Sequence, residues 1–471
     1  MVMGSIKQTT DVMVLGGGPG GYVAAIRAAD LGYEVVLVEQ RERCGGVCLL
    51  EGCIPSKALI SAVEVMETAH AAEKMGITFE GLKVDYAKLR SFKAGVVDTL
   101  TKGIDGLLKA RGVDVIHARG RLDGPRSLAL EGADVAGIDF RHGILATGSR
   151  VTQLPLWKDL DVWTSREALE LREVPERLLV VGGGYIGLEL GLVYAGLGSH
   201  ITVVELLPNL LSGADPDLVK PVRKRCQQRF DKVLLETRVA GMQRKGDVFI
   251  VDVESKAGRE QLEVDQVLVA VGRTPNTEAL GLERAGLNAG PRGLIAVDAT
   301  MRTSVPSLFA IGDIVAGPGL AHKASREGKV AAEVIAGKPA AFDNVSIPAV
   351  VFTDPEVAWT GITESEAKAQ GLDVTIGKFP LSALGRAHTL SRTDGLAKVI
   401  ADKKTGLVRG VGLVGPHASE LIASASLALE LGAVLEDLTA TIHPHPTLSE
   451  AMMEAAEVAE GLPVHLPPTK K

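Results

Sequence analysis

Residues 12–39 read VMVLGGGPGGYVAAIRAADLGYEVVLVE, and residues 178–205 read LLVVGGGYIGLELGLVYAGLGSHITVVE. Shifted by 166 residues, the two stretches align without a gap. Each is an apolar β-branched run, a Gly-x-Gly-x-x-Gly turn, a helical stretch ending in Leu-Gly, a second apolar run and a glutamate. This is the pattern of a dinucleotide-binding βαβ unit. Gly16 and Gly182 would make the tight turn, Gly18 and Gly184 would admit a pyrophosphate to the backbone, and Gly21 and Gly187 would let helix close on strand. The pyrophosphate would then rest on a helix N-terminus, where free N–H groups and the dipole favour an anion. Glu39 and Glu205, each 23 residues after the first glycine, are placed to accept from ribose hydroxyls. One such motif is often only a turn; two in the same strand-turn-helix-strand context, each with its acid, are not expected by chance.

Around this repeat the chain is ordinary for a multi-domain globular protein. Its 471 residues exceed one core, and 46% hydrophobic composition suffices for several. A net charge of −7, without a dense basic run, argues against nucleic acid. No stretch of 18 uninterrupted apolar residues and no apolar N-terminal segment is present, so neither a membrane span nor a signal peptide is expected. A cytoplasmic location is the expectation, or the mitochondrial matrix for a mature organelle form.

Two different dinucleotides are implied by two units, and the economical pair is a flavin and a nicotinamide. LATGSR (145–150, with Thr147 and Gly148) and VAVGRTPN (269–276, with Gly272) follow apolar runs and would close the units. LFAIGDI (308–314) places Asp313 where it could take a ribityl hydroxyl. Four cysteines are too few for a disulfide scaffold, yet Cys48 and Cys53 stand close together in GGVCLLEGCIPSK (45–57). A close pair of this kind is more often catalytic or metal-binding than structural in a reducing compartment, and no second pair supports zinc. Lys57 lies four residues after Cys53 on what reads as a helix beginning near Pro55, so its ammonium would favour a thiolate.

With GGVCLLEGCIPSK, both fingerprints, FAIGDIVAGPGLAHKA and HPHPTLSE in place, nearly the whole chain resembles the FAD-dependent pyridine nucleotide disulfide oxidoreductases, and most closely their dihydrolipoyl-oxidising members. The resemblance implies that Cys48 and Cys53 form a redox-active disulfide beside FAD, Cys53 against the flavin and Cys48 toward substrate. It implies Lys57 near flavin N5, paired with Glu189. It assigns a base to His445 and an orienting carboxylate to Glu450, with Glu454, one helical turn on, as the alternative partner. A cis bond before Pro446 is also implied. Ala321, His322 and Lys323, at the start of a helix, would reach the flavin through their backbone. Cys44 stands where relatives carry an apolar residue, LLE between the cysteines departs from the commoner LNV, and Cys226 reads as a buried helix residue.

The expected FAD contacts are therefore Gly16, Gly18, Gly21, Glu39, Lys57, Thr147, Gly148, Asp313 and Ala321. The expected NAD contacts are Gly182, Gly184, Gly187, Glu205 and Gly272; no metal is expected. The fold expectation is α/β, with two Rossmann-like domains and a C-terminal α+β dimerisation domain. The segments are 1–149 for FAD, 150–277 for NAD, 278–346 returning to the flavin and 347–471 for the interface. Because the C-terminal histidine of this family serves the other subunit, a homodimer is implied. Implied partners are lipoyl domains of an acyltransferase or the glycine cleavage carrier protein. The competing readings are an NADPH-dependent disulfide reductase, disfavoured by Glu205 and the absence of a following Arg; a mercuric reductase, disfavoured because no cysteine follows Cys226; and a docking subunit without turnover, disfavoured by the intact Cys48, Cys53 and His445.

Overall fold

The computed structural model describes residues 7–467. The first quoted stretch folds as strand Lys7–Leu15, helix Pro19–Asp30 and strand Val35–Glu39, and the second as Arg177–Val181, Tyr185–Gly196 and His200–Val204. In each unit the two strands are parallel neighbours, with Val12 opposite Val35 and Leu178 opposite Ile201. Val12, Met13, Val14, Leu178, Leu179 and Val180 are fully buried. Strands covered on both faces carry unbroken apolar runs, which is why the sequence shows no alternation there.

The turns explain the glycines. Gly16 has φ +108°, and a Cβ there would stand 2.3 Å from the Ala146 carbonyl oxygen; one on Gly21 would stand 1.7 Å from the Gly16 oxygen. Gly182 and Gly187 repeat both constraints, at 2.4 and 2.2 Å. No other residue type fits either position.

The first sheet runs Asp114–His117, Val35–Glu39, Lys7–Leu15, Gly137–Leu145, Ser127–Glu131 and Arg119–Gly124, the last two antiparallel, with Leu308–Ala310 added parallel to Gly137–Leu145. That late strand brings the helix Ala321–Ile335 against Pro19–Asp30. Small residues permit the close approach: a Cβ on Gly328 would lie 2.5 Å from the Gly20 oxygen. The second unit is a four-stranded parallel sheet with a three-stranded antiparallel sheet, Arg238–Lys245, Val248–Ser255 and Gly258–Val264. A two-stranded ribbon, Ser149–Val151 with Arg273–Pro275, joins the units. In the third unit a five-stranded antiparallel sheet, Ala349–Val351, Glu356–Gly361, Val408–Gly415, Leu396–Asp402 and Val374–Pro380, packs against helices Ala418–Glu430 and Glu450–Glu460 around Phe379, Val399, Ala425 and Ala455.

One element departs from expectation. The cysteine helix starts at Cys53, two residues before Pro55, and follows a short helix Gly46–Glu51 that already holds Cys48. Pro55 is tolerated because the first helical turn needs no N–H from it. Within the helical segment Gly46–Met75 an 18-residue window reaches a mean hydropathy of 1.4, long and apolar enough to span a membrane by length and composition, which no uninterrupted apolar run had suggested. Leu59 and Val63 from it are buried in the core of the second unit, so part of that apolarity serves packing between units.

Candidate active site

A cavity of about 520 Å³ opens over the first fingerprint and extends to the cysteines. Gly16, Gly18, Glu39, Gly46, Cys48, Cys53, Lys57, Thr147, Gly148, Asp313 and Ala321 all line it. Its volume lies within the usual range of small-molecule sites. Glu39 is fixed through both oxygens, Oε2 accepting from Gly17 N at 2.8 Å and Oε1 from Arg41 N at 2.9 Å. Asp313 accepts from the Ser149 hydroxyl, and Ser149 in turn accepts from Arg273, at 2.7 Å on Oγ and 2.6 Å on the carbonyl oxygen. Thr147 and Asn276 exchange side-chain-to-carbonyl bonds at 2.8 and 2.9 Å. The ends of both units are thereby tied across the cavity floor.

At the other end lie the thiols. Cys48 and Cys53 are free cysteines, Cys53 open to the cavity at the first residue of its helix. The Cys48 thiol hydrogen-bonds to Cys53 and draws the Cys53 pKa down to about 7; burial opposes this, the Lys57 ammonium assists it and the Glu189 carboxylate opposes it. Cys48 moves the other way, kept protonated by that hydrogen bond and by burial. Of the pair, Cys53 therefore loses its proton first, and the one that remains is held on Cys48.

Lys57 and Glu189 meet at 2.7 Å, Glu189 being buried. The other Glu189 oxygen accepts from Phe352 N at 2.9 Å, and the Lys57 Nζ sits 4.3 Å from the centre of the Phe352 ring. Each of the three units thus contributes one part of this arrangement. Sequence reading missed Phe352, Arg273, Asn276 and Tyr185. Only Tyr185 carried a local signal, lying one helical turn before Glu189 on the same face.

The second fingerprint faces elsewhere. Gly182, Gly184, Gly187, Glu205 and Gly272 do not line the cavity, yet Tyr185, Ile186 and Glu189 from the following helix do. Glu205 is held by Gly183 N at 2.6 Å and Leu207 N at 2.7 Å, the same geometry as Glu39. The helix that follows the second fingerprint therefore forms one wall of the cavity over the first.

His445 Nδ1 lies 2.8 Å from Glu450 Oε1, and Glu450 Oε2 accepts from Thr447 N at 2.7 Å. Burial works against the Glu450 carboxylate, but the Thr447 amide and His445 hold its pKa below the usual range. Glu454 is taken by His465, and His443 by the Thr441 carbonyl oxygen. The His445–Pro446 peptide is cis. The His445 side chain is 78% exposed and does not line its own chain's cavity.

Residues 10–328 match the family model described as pyridine nucleotide-disulphide oxidoreductase, and residues 347–456 match its dimerisation domain. The chain belongs to this family. Among curated relatives it is 48% identical over 468 residues to a protein named dihydrolipoyl dehydrogenase from Geobacillus stearothermophilus, covering 99% of each chain. It is 47% identical over 473 residues to one of the same name from Haloferax volcanii, again covering 99% of each. Its fold matches LpdA from Mycobacterium tuberculosis with a TM-score of 0.88 at 28% identity, covering 96% of this chain and 99% of that one. It also matches the Cu(II) complex of the HOCl-induced flavoprotein disulfide reductase RclA from Escherichia coli, TM-score 0.83 at 26% identity, covering 94% and 98%.

The family's cofactors are FAD and NAD, and the cavity fits the first. A Cβ on Gly18 would meet nothing closer than 3.8 Å, so its missing side chain leaves space on the cavity side rather than relieving a clash within the protein. At the second fingerprint Gly184 and Gly272 likewise have no neighbour within 4 Å of an added Cβ. His322 and Lys323, expected to reach the flavin through their backbone, engage their side chains elsewhere. His322 and Lys323 do not line the cavity: His322 reaches the Pro348 carbonyl oxygen at 2.8 Å, and Lys323 is buried against Glu327 at 2.7 Å. Glu327 accepts from Gly312 N at 2.7 Å, so this pair holds the backbone beside Asp313. Cys44 is buried beneath Gly17, where burial first and Glu39 next push its pKa up to about 12, and Cys226 is buried in the helix Pro216–Arg229.

Proposed function

We propose that the protein oxidises protein-bound dihydrolipoyl groups to the lipoyl disulfide, with Cys48, Cys53, FAD and NAD⁺ as successive electron acceptors. The observation that carries this reading is the thiol pair itself, polarised so that Cys53 is the thiolate, at the end of a dinucleotide cavity and against the wall shared with the second fingerprint. The full-length relatives named dihydrolipoyl dehydrogenase support it.

In the oxidised centre Cys48 and Cys53 share a bond. His445 Nε2 takes the proton of the first substrate thiol, the resulting thiolate attacks Cys48 Sγ, and Cys53 leaves as a thiolate stabilised by its helix N-terminus and Lys57. His445 passes that proton to Cys48 Sγ as the second substrate sulfur displaces it and closes the lipoyl ring, and takes the second thiol's proton in turn. Two electrons then reside on the cysteines, with one proton on Cys48 and one on His445. Glu450 at Nδ1 fixes the tautomer that leaves Nε2 free to accept, and stabilises the imidazolium. When bound, FAD supplies two-electron chemistry between a thiolate and a nicotinamide. Glu189 holds Lys57 at the cavity wall, where its charge can act on that exchange.

In this reading residues 1–149 and 278–346 serve FAD, 150–277 serve NAD, and 347–471 form the subunit interface. The exposure of His445 supports a base delivered to the second subunit's Cys48 in a homodimer, and lipoyl domains of an acyltransferase or the glycine cleavage carrier are the physiological substrates. Turnover of dihydrolipoamide with NAD⁺ should far exceed that of glutathione disulfide with NADPH; the reverse ratio would reject the assignment.

A further inference from the structure

Phe352 is the point at which the third unit reaches the thiol centre, and the proposed reaction gives it no task. It directly follows the edge strand Ala349–Val351. Its backbone N–H donates to Glu189 Oε1 at 2.9 Å, and the centre of its ring lies 4.3 Å from Lys57 Nζ. Lys57 in turn donates to the other Glu189 oxygen at 2.7 Å. One residue therefore engages both members of the ion pair, the anion through its amide and the cation through its ring.

The residues around Phe352 are fixed to the helix that carries Lys57. Val351 is buried in the core that also holds Leu59 and Val63 of the cysteine helix Cys53–Ala71. Asp354 lies 3.1 Å from Arg225, which pairs at 2.9 Å with Glu67 on that same helix, and Asp354 also pairs with Arg392. Glu189 is buried with both oxygens engaged, so it cannot follow a lysine that moves. The Lys57 side chain, 29% exposed, keeps a route to water, and the attraction of an ammonium to an aromatic face opposes that route.

The position of Lys57 matters for Cys53. The titratable groups that face Cys53 are Cys48, Lys57, Glu189 and Tyr185. The Cys48 hydrogen bond lowers the Cys53 pKa most and burial opposes it; Lys57 then adds to the lowering and Glu189 offsets it. Lys57 is the one cation in that set, and its pull on the sulfur weakens as it moves out into water.

We propose that Phe352 is a positioning residue: its ring holds the Lys57 ammonium beside Cys53 and its amide holds the Glu189 carboxylate, so that the third unit sets the balance of charge at the thiolate. The inference rests on the relay of thiols and FAD proposed above.

The test follows the long-wavelength absorption of holoenzyme reduced anaerobically by one dithiol equivalent, as a function of pH. Phe352→Leu keeps the amide and removes the ring face. Lys57 is then freer to enter water, the thiolate loses support, and the midpoint of the band should rise by about half to one pH unit. Phe352→Tyr keeps the ring face and should keep the wild-type midpoint. Replacement of Phe352 by 3,4,5-trifluorophenylalanine preserves the shape but withdraws electron density from the ring face, and should raise the midpoint as Phe352→Leu does. An unmoved midpoint in Phe352→Leu overturns the proposal. So does a shift with leucine that the fluorinated ring does not reproduce, which would mean that Phe352 only fills space. Should Phe352→Leu not yield folded protein, the fluorinated ring and Phe352→Tyr decide: a higher midpoint for the first alone supports the proposal, and equal midpoints overturn it. Wild-type enzyme without a long-wavelength band would instead reject the relay, separating the two failures.

Discussion

Cys53 owes its chemistry to neighbours that lie far from it in sequence as well as near. The hydrogen bond from the Cys48 thiol lowers its pKa most, burial limits the effect, Lys57 adds to it and Glu189 opposes it. With its pKa near 7, the thiolate predominates above that pH and is lost as pH falls below it. Enzyme reduced anaerobically by one dithiol equivalent should therefore show a long-wavelength absorption, from Cys53 thiolate against the flavin, that fades with a midpoint near pH 7. Cys53→Ser should abolish the band, and its survival in that variant would reject the assignment. Glu205 makes a second residue-level difference. Both its oxygens are held by backbone amides, so it cannot swing aside for a 2′-phosphate. A charge held against an unpaired phosphate at short range should cost a factor of about a hundred or more in kcat/KM for NADP⁺ relative to NAD⁺. Equal specificity constants would show the site to be misread.

At the scale of elements, the third unit is joined to the second by a buried charge cluster. Lys398, on the strand Leu396–Asp402, is 1% exposed and lies 2.7 Å from both Asp215 and Asp217 at the start of the helix Pro216–Arg229. Lys378 pairs with Asp217 at 2.7 Å and Glu364 at 2.8 Å. Asp215 further accepts from the Glu364 and Ser365 amides, at 2.8 and 3.0 Å. Burial disfavours the Asp215 and Asp217 carboxylates, but these donors outweigh it and hold both pKa values below the ordinary aspartate range. Depressed acids stabilise the fold above their unfolded pKa, so this contribution is present at neutral pH and lost as pH falls from about 4 through the folded values. Lys398→Met removes the cation while leaving the carboxylates buried, and should destabilise by about 3–5 kcal/mol. Denaturant unfolding with the third-unit tryptophan Trp359 as probe checks it; an unchanged midpoint would mean the lysine is not needed there.

For the whole molecule, the groups assigned to the proposed reaction lie in places that one chain does not bring together. His445 is exposed on the unit that matches the dimerisation domain, while Cys48 lies in the cavity of the first unit. Loss of a general base typically costs ~10²–10⁴ in rate, so His445→Ala and Cys48→Ser homodimers should each be nearly inactive. Mixed and randomly reassociated, about half the dimers would carry one of each chain, with both defects in one site and none in the other. About a quarter of wild-type activity should return; no return, with subunit exchange verified, would place His445 within its own chain's site. The two fingerprints and the close thiol pair were legible in the sequence because each is local: a turn admits only glycine, a helix spaces its faces by four, and an acid ends a strand; the pairing of His445 with Glu450 came only from the family resemblance. The sequence also determined the fold class, since two gapless copies of one βαβ pattern leave little else for those segments to form. It did not give the start of the cysteine helix at Cys53, the seat of Lys323 behind Asp313, or Phe352 against Lys57, and it left the choice between Glu450 and Glu454 open. These depend on which distant elements meet: the Leu308–Ala310 strand adding to the first sheet, the third unit packing beside Glu189, and His465 claiming Glu454. Local spacing fixes what a short stretch can do, whereas burial and hydrogen-bond partners supplied from hundreds of residues away decide which of its groups are charged, held or free.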